Sequence, residues 1–255
     1  MFVEERQEKI LELLDENEKV RVKDLSQQFE VTEDCIRKDL AAMEGKGLLK
    51  RAYGGAVKIK LKTHESRVEK RRDKNIKEKH GIAKKAVKLI HTGDVVFLDI
   101  STTNIEVAKE IIRRELKVTV VTNMLDIANV FAKVSECAAE FILIGGTFNR
   151  KQDGFLGGMP LNLISKFRFD ISFIGVVGAD LDNNTITTYA MEDGILKEEE
   201  IKASKKCYLV MEKMKFDLDA NYVFASFDKI TGVVCEGPLE KEKVNKLKQY
   251  QVEVR

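Results

Sequence analysis

Cysteine and histidine are scarce in this chain of 255 residues, and the few present are scattered. The four cysteines (Cys35, Cys137, Cys207 and Cys235) form no C-x-x-C pair, and the three histidines are His64, His80 and His91. This spacing excludes a disulfide framework and offers no zinc-ligand pattern, so no metal or cofactor is expected and a reducing cytoplasm is the expected setting. No apolar run approaches the roughly 18 residues that a membrane helix needs, so no membrane partner is expected. Charges appear at once, at Glu4, Glu5 and Arg6, and no signal peptide is expected. Internal repeats, low-complexity segments, the G-x-S-x-G motif and the P-loop lysine motif are also missing. What remains, with 44% hydrophobic and 34% charged residues, is the composition of a globular protein long enough for a small domain joined to a larger one.

The net charge is only +2, but it is unevenly spread. Residues 1–35 carry five Lys/Arg against eleven Asp/Glu, whereas residues 36–60 carry seven against two and residues 61–80 eight against four. A basic stripe therefore begins at Arg37. A solvated face is the commoner meaning of such a run, and charge by itself does not choose between that and nucleic acid.

Residues 1–57 read as three helices and a hairpin. Ile10, Leu11, Leu13 and Leu14 give the first helix an apolar stripe, and Val20–Val22 suits a very short strand. Leu25 and Phe29, four apart, serve a short second helix; a turn at residues 30–32 follows. Thr32 is a good N-cap for a third helix, with Glu33 and Asp34 at its positive end. Ile36, Leu40 and Met43 form its inner side, and Gly45 and Gly47 close it. At 100° per residue, Lys38 then points directly outward, flanked by Asp34 and Ala41, with Arg37 and Ala42 at the margins. Residues 48–51 and 56–59 flank Tyr53-Gly54-Gly55 as the strands of a wing, where Arg51 and Tyr53 could reach phosphates. Helix, tight turn and helix followed by a wing suit a groove-binding module.

Residues 58–75 are highly charged and read as a linker. Beyond it, short apolar runs alternate with helix-length stretches: VVFLDI (95–100), VTVVT (118–122), FILIG (141–145), ISFIGVV (171–177), CYLVM (207–211), then VFAS and TGVVC. This is the pattern of an open, Rossmann-like α/β domain over 76–255 with a parallel sheet covered on both faces. Several strand ends carry polar or glycine turns suited to an anion. Asp99 ends the first strand, and Ser101, Thr102, Thr103 and Asn104 open the next helix. Thr122-Asn123, Gly145-Gly146, Gly175 and Gly178 sit at corresponding positions. One such turn is more often an ordinary cap; several converging at one sheet edge favour a ligand site.

The stretch V-T-x-x-C-I-R-K-D-L-x-x-M-E-x-x-G-L-L-K-R-x-Y-G-G-A resembles the signature of the DeoR family of bacterial sugar-metabolism regulators, V-S-x-x-T-I-R-R-D-L-x-x-L-E…G…R-x-H-G-G-A. The resemblance covers residues 5–57 in register and implies a winged helix-turn-helix on double-stranded operator DNA. It departs at Cys35 for threonine, Lys38 for arginine and Tyr53 for histidine. The second half is similar too, more weakly. The family's L-D-x-G-T-T-T stands here as L-D-I-S-T-T-N, and T-N and G-G match at Thr122-Asn123 and Gly145-Gly146. The family's D-x-S-K-F aligns with residues 212–216, which carries its phosphate-site lysine to Lys215 with Glu212 before it. The implied fold is that of ribose-5-phosphate isomerase, and the implied ligand is a phosphorylated sugar. The resemblance thus implies a regulator, a repressor in its family's manner, acting as a homodimer or tetramer. The alternative is an isomerase-like enzyme with an appended DNA-binding module, for which Asp99, Glu212 and Lys215 are the candidate acid and base groups.

Overall fold

Arg6, Ile10 and Leu14 recur every fourth residue on α1 (Val3–Asn17), so all three lie on one face, and all three are buried. The structure is a computed structural model and describes residues 3–17, 19–45, 48–57 and 68–255. The chain divides into two compact units, residues 1–62 and 63–255.

In the first unit, β1 (Lys19–Arg21) runs directly into α2 (Val22–Gln28), so Val22 begins a helix instead of ending a strand. Residues 29–32 then turn the chain into α3 (Glu33–Gly45), whose Ile36, Leu40 and Met43 are at most 1% exposed. With Ile10, Leu14, Val22, Leu25 and Phe29 they form a small core, sealed by Leu49 and Ala56. The wing is β2 (Lys50–Ala52) and β3 (Gly55–Val57), antiparallel, with β1 added on the far side of β3. Gly55 permits this: a Cβ there would sit 1.9 Å from the Val20 carbonyl oxygen. Gly47 and Ile59, expected to close α3 and to extend the wing, lie outside the described residues.

In the second unit, residues 68–75, expected as linker, instead hold α4 (Val68–Arg72) and a turn. Val68 is 1% exposed and belongs to the large core, so α4 is packed on this unit rather than solvated. After α5 (Ile76–Ala86) come β4 (Val95–Leu98), α6 (Thr102–Arg113), β5 (Thr119–Thr122), α7 (Leu125–Ala132) and β6 (Glu140–Leu143). A hairpin of β7 (Thr147–Asn149) and β8 (Gly154–Leu156) leads to α8 (Gly158–Ile164) and β9 (Phe169–Ile174). Next are β10 (Gly178–Asp180), β11 (Thr185–Thr188), α9 (Met191–Lys202), β12 (Ser204–Val210), β13 (Tyr222–Ala225), β14 (Gly232–Val234), α10 (Lys241–Gln249) and β15 (Glu253–Val254).

Seven strands make one parallel sheet in the order β15-β14-β12-β9-β4-β5-β6. Consecutive residues of β4 and β9 (Val96-Phe97-Leu98 and Ile171-Ser172-Phe173-Ile174) are at most 1% exposed, which requires both faces to be covered. Two expectations are corrected here. The FILIG run is an edge strand, with Ile142 and Leu143 exposed, and VFAS joins a separate antiparallel sheet, β10-β11-β13. From β4 the chain winds outward through β5 and β6; from β9 it winds the other way through β12, β14 and β15. The order therefore reverses between β4 and β9, and ligands bind beyond the carboxyl ends of strands at such a point.

Candidate functional site

On the first unit, the Thr32 hydroxyl accepts from the Cys35 N–H at 3.3 Å, which caps α3 as expected. Arg37, Lys38 and Ala41 are exposed along α3, and Tyr53 at the tip of the wing is fully exposed. Gly54 adopts φ 75°, which makes the tight wing turn possible, and its carbonyl accepts from the Val22 N–H at 2.9 Å. Arg51 lies on the exposed wing, and its N–H donates to Glu44 at 2.8 Å. Asp34 does not pair with Lys38. It accepts from Arg37 at 2.7 Å, and Glu33 accepts from the same guanidinium at 2.6 Å. Lys38 is thereby left as an exposed point charge, while Arg37 must exchange two carboxylates for any phosphate it meets.

Cys35 is half-buried, and its Sγ accepts from Arg6 at 3.4 Å, so the thiol turns toward α1 instead of outward. The same Arg6 donates through Nε to Asp39 at 2.6 Å, with both side chains at most 6% exposed. The hydrogen bond and charge of Asp39 raise the Arg6 pKa above its usual range. Sequence reasoning missed this pair, although Arg6 sits in register with Ile10 and Leu14. It ties α1 to the inner face of α3 and sets how the helix presents its outer face.

On the second unit, a narrow cleft opens at the switch point, lined among others by Arg71, Ser101, Thr102, Gly175, Lys197 and Lys215. Ser101 caps α6, its hydroxyl accepting from the Thr103 N–H at 3.3 Å. Gly175 is required because a Cβ would lie 2.4 Å from that of Ser101. Lys215 donates to the Val176 carbonyl at 2.8 Å and pairs with buried Glu212 at 3.1 Å. Burial would raise the Glu212 pKa, but Lys215 and Lys79 hold it below the usual range.

Asp99 is fully buried beneath this cleft rather than presented to it. It is ion-paired with Lys197 and accepts from the Gly175 N–H at 3.0 Å and from Asn104 Nδ2 at 2.7 Å. Asn104 also donates to the Phe173 carbonyl at 2.8 Å, so it staples β4 to β9. Asp193, held by the Thr188 hydroxyl at 2.6 Å, lies 3.7 Å from Lys197. Burial would lower the Lys197 pKa, yet Asp193, Asp99 and Glu200 raise it, so the ammonium stays charged. Burial first, and then the charge of Asp99, pushes the Glu200 carboxyl well above its usual range.

Other expected residues serve the framework. The Thr122 hydroxyl donates to the Leu98 carbonyl at 2.6 Å, and Asn123 donates to that of Phe155 at 3.2 Å. Gly146 and Gly178 admit neighbours: a Cβ would lie 2.7 Å from Pro160 Cδ in the first and 2.1 Å from the Leu218 carbonyl oxygen in the second. Neither these nor Gly145, Thr103 or Asn104 line the cleft. Arg71, Asp193, Lys197 and Glu200 were not foreseen. The last three fall at i, i+4 and i+7 of α9, a single face, but in a run of charge that reads as solvated.

The sequence model of the DeoR-like helix-turn-helix domain matches residues 6–62, and that of the DeoR C-terminal sensor domain matches residues 74–237. The chain belongs to the DeoR family. Relatives of this DeoR-family chain include an uncharacterized HTH-type transcriptional regulator of Bacillus subtilis, 30% identical over 100% of this chain and 96% of that one. The lactose phosphotransferase system repressor of Lactococcus lactis is 28% identical over 96% and 95%. The L-fucose operon activator of Haemophilus influenzae is 28% identical over 97% and 97%. Among solved structures, ribose 5-phosphate isomerase A of Methanocaldococcus jannaschii aligns at TM-score 0.40 and 15% identity, over 55% of this chain and 54% of that one. No described helix of the DeoR-family chain is long and apolar enough to cross a membrane.

Proposed function

We propose that this protein is a transcriptional regulator, acting as a repressor, of a sugar-utilisation operon. Its first unit binds operator DNA, and its second binds a phosphorylated sugar in the switch-point cleft. The observation that carries the DNA reading is α3, which exposes Arg37 and Lys38 and is held in place by the buried Arg6–Asp39 pair, together with the exposed wing tip at Tyr53. Exposed cations at a helix face and wing suit phosphate contacts, which position the module, while Lys38 and Ala41 face the bases. So small a module buries little DNA, which supports two copies reading paired half-sites. Exposed Ile142, Phe148, Met159 and Leu163 on the second unit are side chains of the kind that self-association covers.

The cleft suits a ligand-binding role better than catalysis. The most deeply placed acid, Asp99, is spent on Lys197, Asn104 and Gly175, so no proton can pass between it and a substrate without dismantling the pair. Retardation of the DNA upstream of the protein's own operon tests the DNA reading. The wild type should shift it and an Arg37→Ala, Lys38→Ala variant should not; equal shifts would sink the proposal.

A further inference from the structure

Three cations line the cleft, and they are not equivalent. Lys197 is paired with Asp99 and Asp193, and Lys215 with Glu212. Arg71 lines the same cleft, yet its buried Nε has no hydrogen-bond partner. No ion pair is described for Arg71 among the described residues, although its neighbour Arg72 pairs with Asp126. A guanidinium is costly to leave without an acceptor when part of it is removed from water. Its planar fork matches two oxygens of a phosphate.

The placement of Arg71 matters as much as its charge. It lies on α4, the first described element after the wing strand β3, and ten residues separate Val57 from Val68. α4 is held by buried Val68, whose N–H donates to the Lys151 carbonyl at 3.1 Å, by the Arg72–Asp126 pair, and by Lys79, which donates to the Arg71 and Lys74 carbonyls. The same cleft is lined by Gly175 and Val176, by the start of α6 at Ser101 and Thr102, and by Lys215.

We infer that Arg71 is the residue of this chain that grips the phosphate of the bound sugar, together with Lys215. The inference rests on the sugar-phosphate reading above. A phosphate seated there joins α4 to the loops after β4 and β9, so ligand binding is felt directly at the chain segment that continues into the DNA-binding unit. A free sugar lacks the two oxygens and leaves α4 as it is. Coupling then requires that the ligand distinguish two states of α4, and Arg71 supplies the difference in contact.

The test uses the full chain and, as probes, fructose 1-phosphate, fructose 6-phosphate, glucose 6-phosphate, ribose 5-phosphate, inorganic phosphate and the parent sugars. Thermal stabilisation and operator retardation are read with each. The wild type should be stabilised by at least one sugar phosphate and not by its parent sugar. Arg71→Gln should weaken that binding at least tenfold, keep ligand-free operator binding, and lose the response of operator binding to the ligand. Arg71→Lys should recover part of the affinity, and Arg72→Gln should keep it. If Arg71→Gln binds the same phosphate as tightly as wild type, the assignment to Arg71 is wrong while the sensor reading stands. If the wild type responds to none of the probes, both fail.

Discussion

Replacing Lys197 by methionine keeps much of the side chain's length and removes its charge. In the wild type this ammonium, 4% exposed, stands between Asp99 at 0% and Asp193 at 7%. Without it, two buried carboxylates lose their counter-charge. The hydrogen bonds from Gly175, Asn104 and Thr188 remain, but they do not neutralise them. Removing one partner of a buried pair costs about 3–5 kcal/mol. For a folding unit of this size each kcal/mol moves the transition by roughly 2–4 °C, so the expected fall is about 6–20 °C. The assay is thermal unfolding by circular dichroism, with hydrogen exchange of the β4 and α9 amides to locate the loss in this unit. The cost should also depend on pH. A carboxyl stranded by the substitution has a folded-state pKa above its unfolded value, so the variant's deficit relative to wild type should shrink as pH falls from 7 to 5. The double variant Asp99→Asn, Lys197→Met should recover much of the loss. A deficit below about 1 kcal/mol, or one that grows toward low pH, would refute the buried-pair reasoning.

Arg6→Ala should strand Asp39 and cost about 3–5 kcal/mol in the DNA-binding unit, read as exchange of α1 and α3 amides and loss of operator binding. Asp34→Ala removes an acid from the DNA-facing helix and frees one arm of Arg37, so operator affinity in fluorescence anisotropy should rise about threefold to tenfold. Asp153 has its pKa pushed up to about 6, by burial first and then by adjacent Asp126. Raised above the unfolded value, this group makes stability rise as pH falls from about 7 toward 4. Asp153→Asn should therefore stabilise the protein at pH 7.5 by about 1 kcal/mol, discounted for partial solvation, and flatten that part of the pH profile. Gly175→Ala should abolish sugar-phosphate stabilisation, because its Cβ would collide with Ser101.

Much of the architecture was legible because burial writes itself into short patterns. The alternation of apolar runs with helix-length stretches announced the parallel sheet, and Ile36, Leu40 and Met43 announced the inner face of α3. Other features had no local signature. Ile142 and Leu143 are as apolar as the residues of β4, and only their place at the sheet edge exposes them. Gly178 looked like a ligand contact, but it makes room for the Leu218 carbonyl. In the cleft, the turns at Ser101, Thr102 and Gly175 were readable because turn chemistry is local. Arg71 and Lys197 were not, since each stands in a run of charged residues and only tertiary packing shows which charge is buried. Arg37, expected at the margin of the outer face, is exposed, but its two acidic partners emerge only from the geometry.

The outer face of α3 is where this protein is expected to meet operator DNA. Anisotropy of a labelled fragment from upstream of the protein's own operon, measured between 50 and 200 mM salt, tests this most directly. Wild type should bind with an affinity that falls steeply with salt and exceeds that for unrelated DNA. The Arg37→Ala, Lys38→Ala variant, folded by circular dichroism, should lose that preference. A variant that binds the fragment as wild type does, with the same salt dependence, would contradict the central claim.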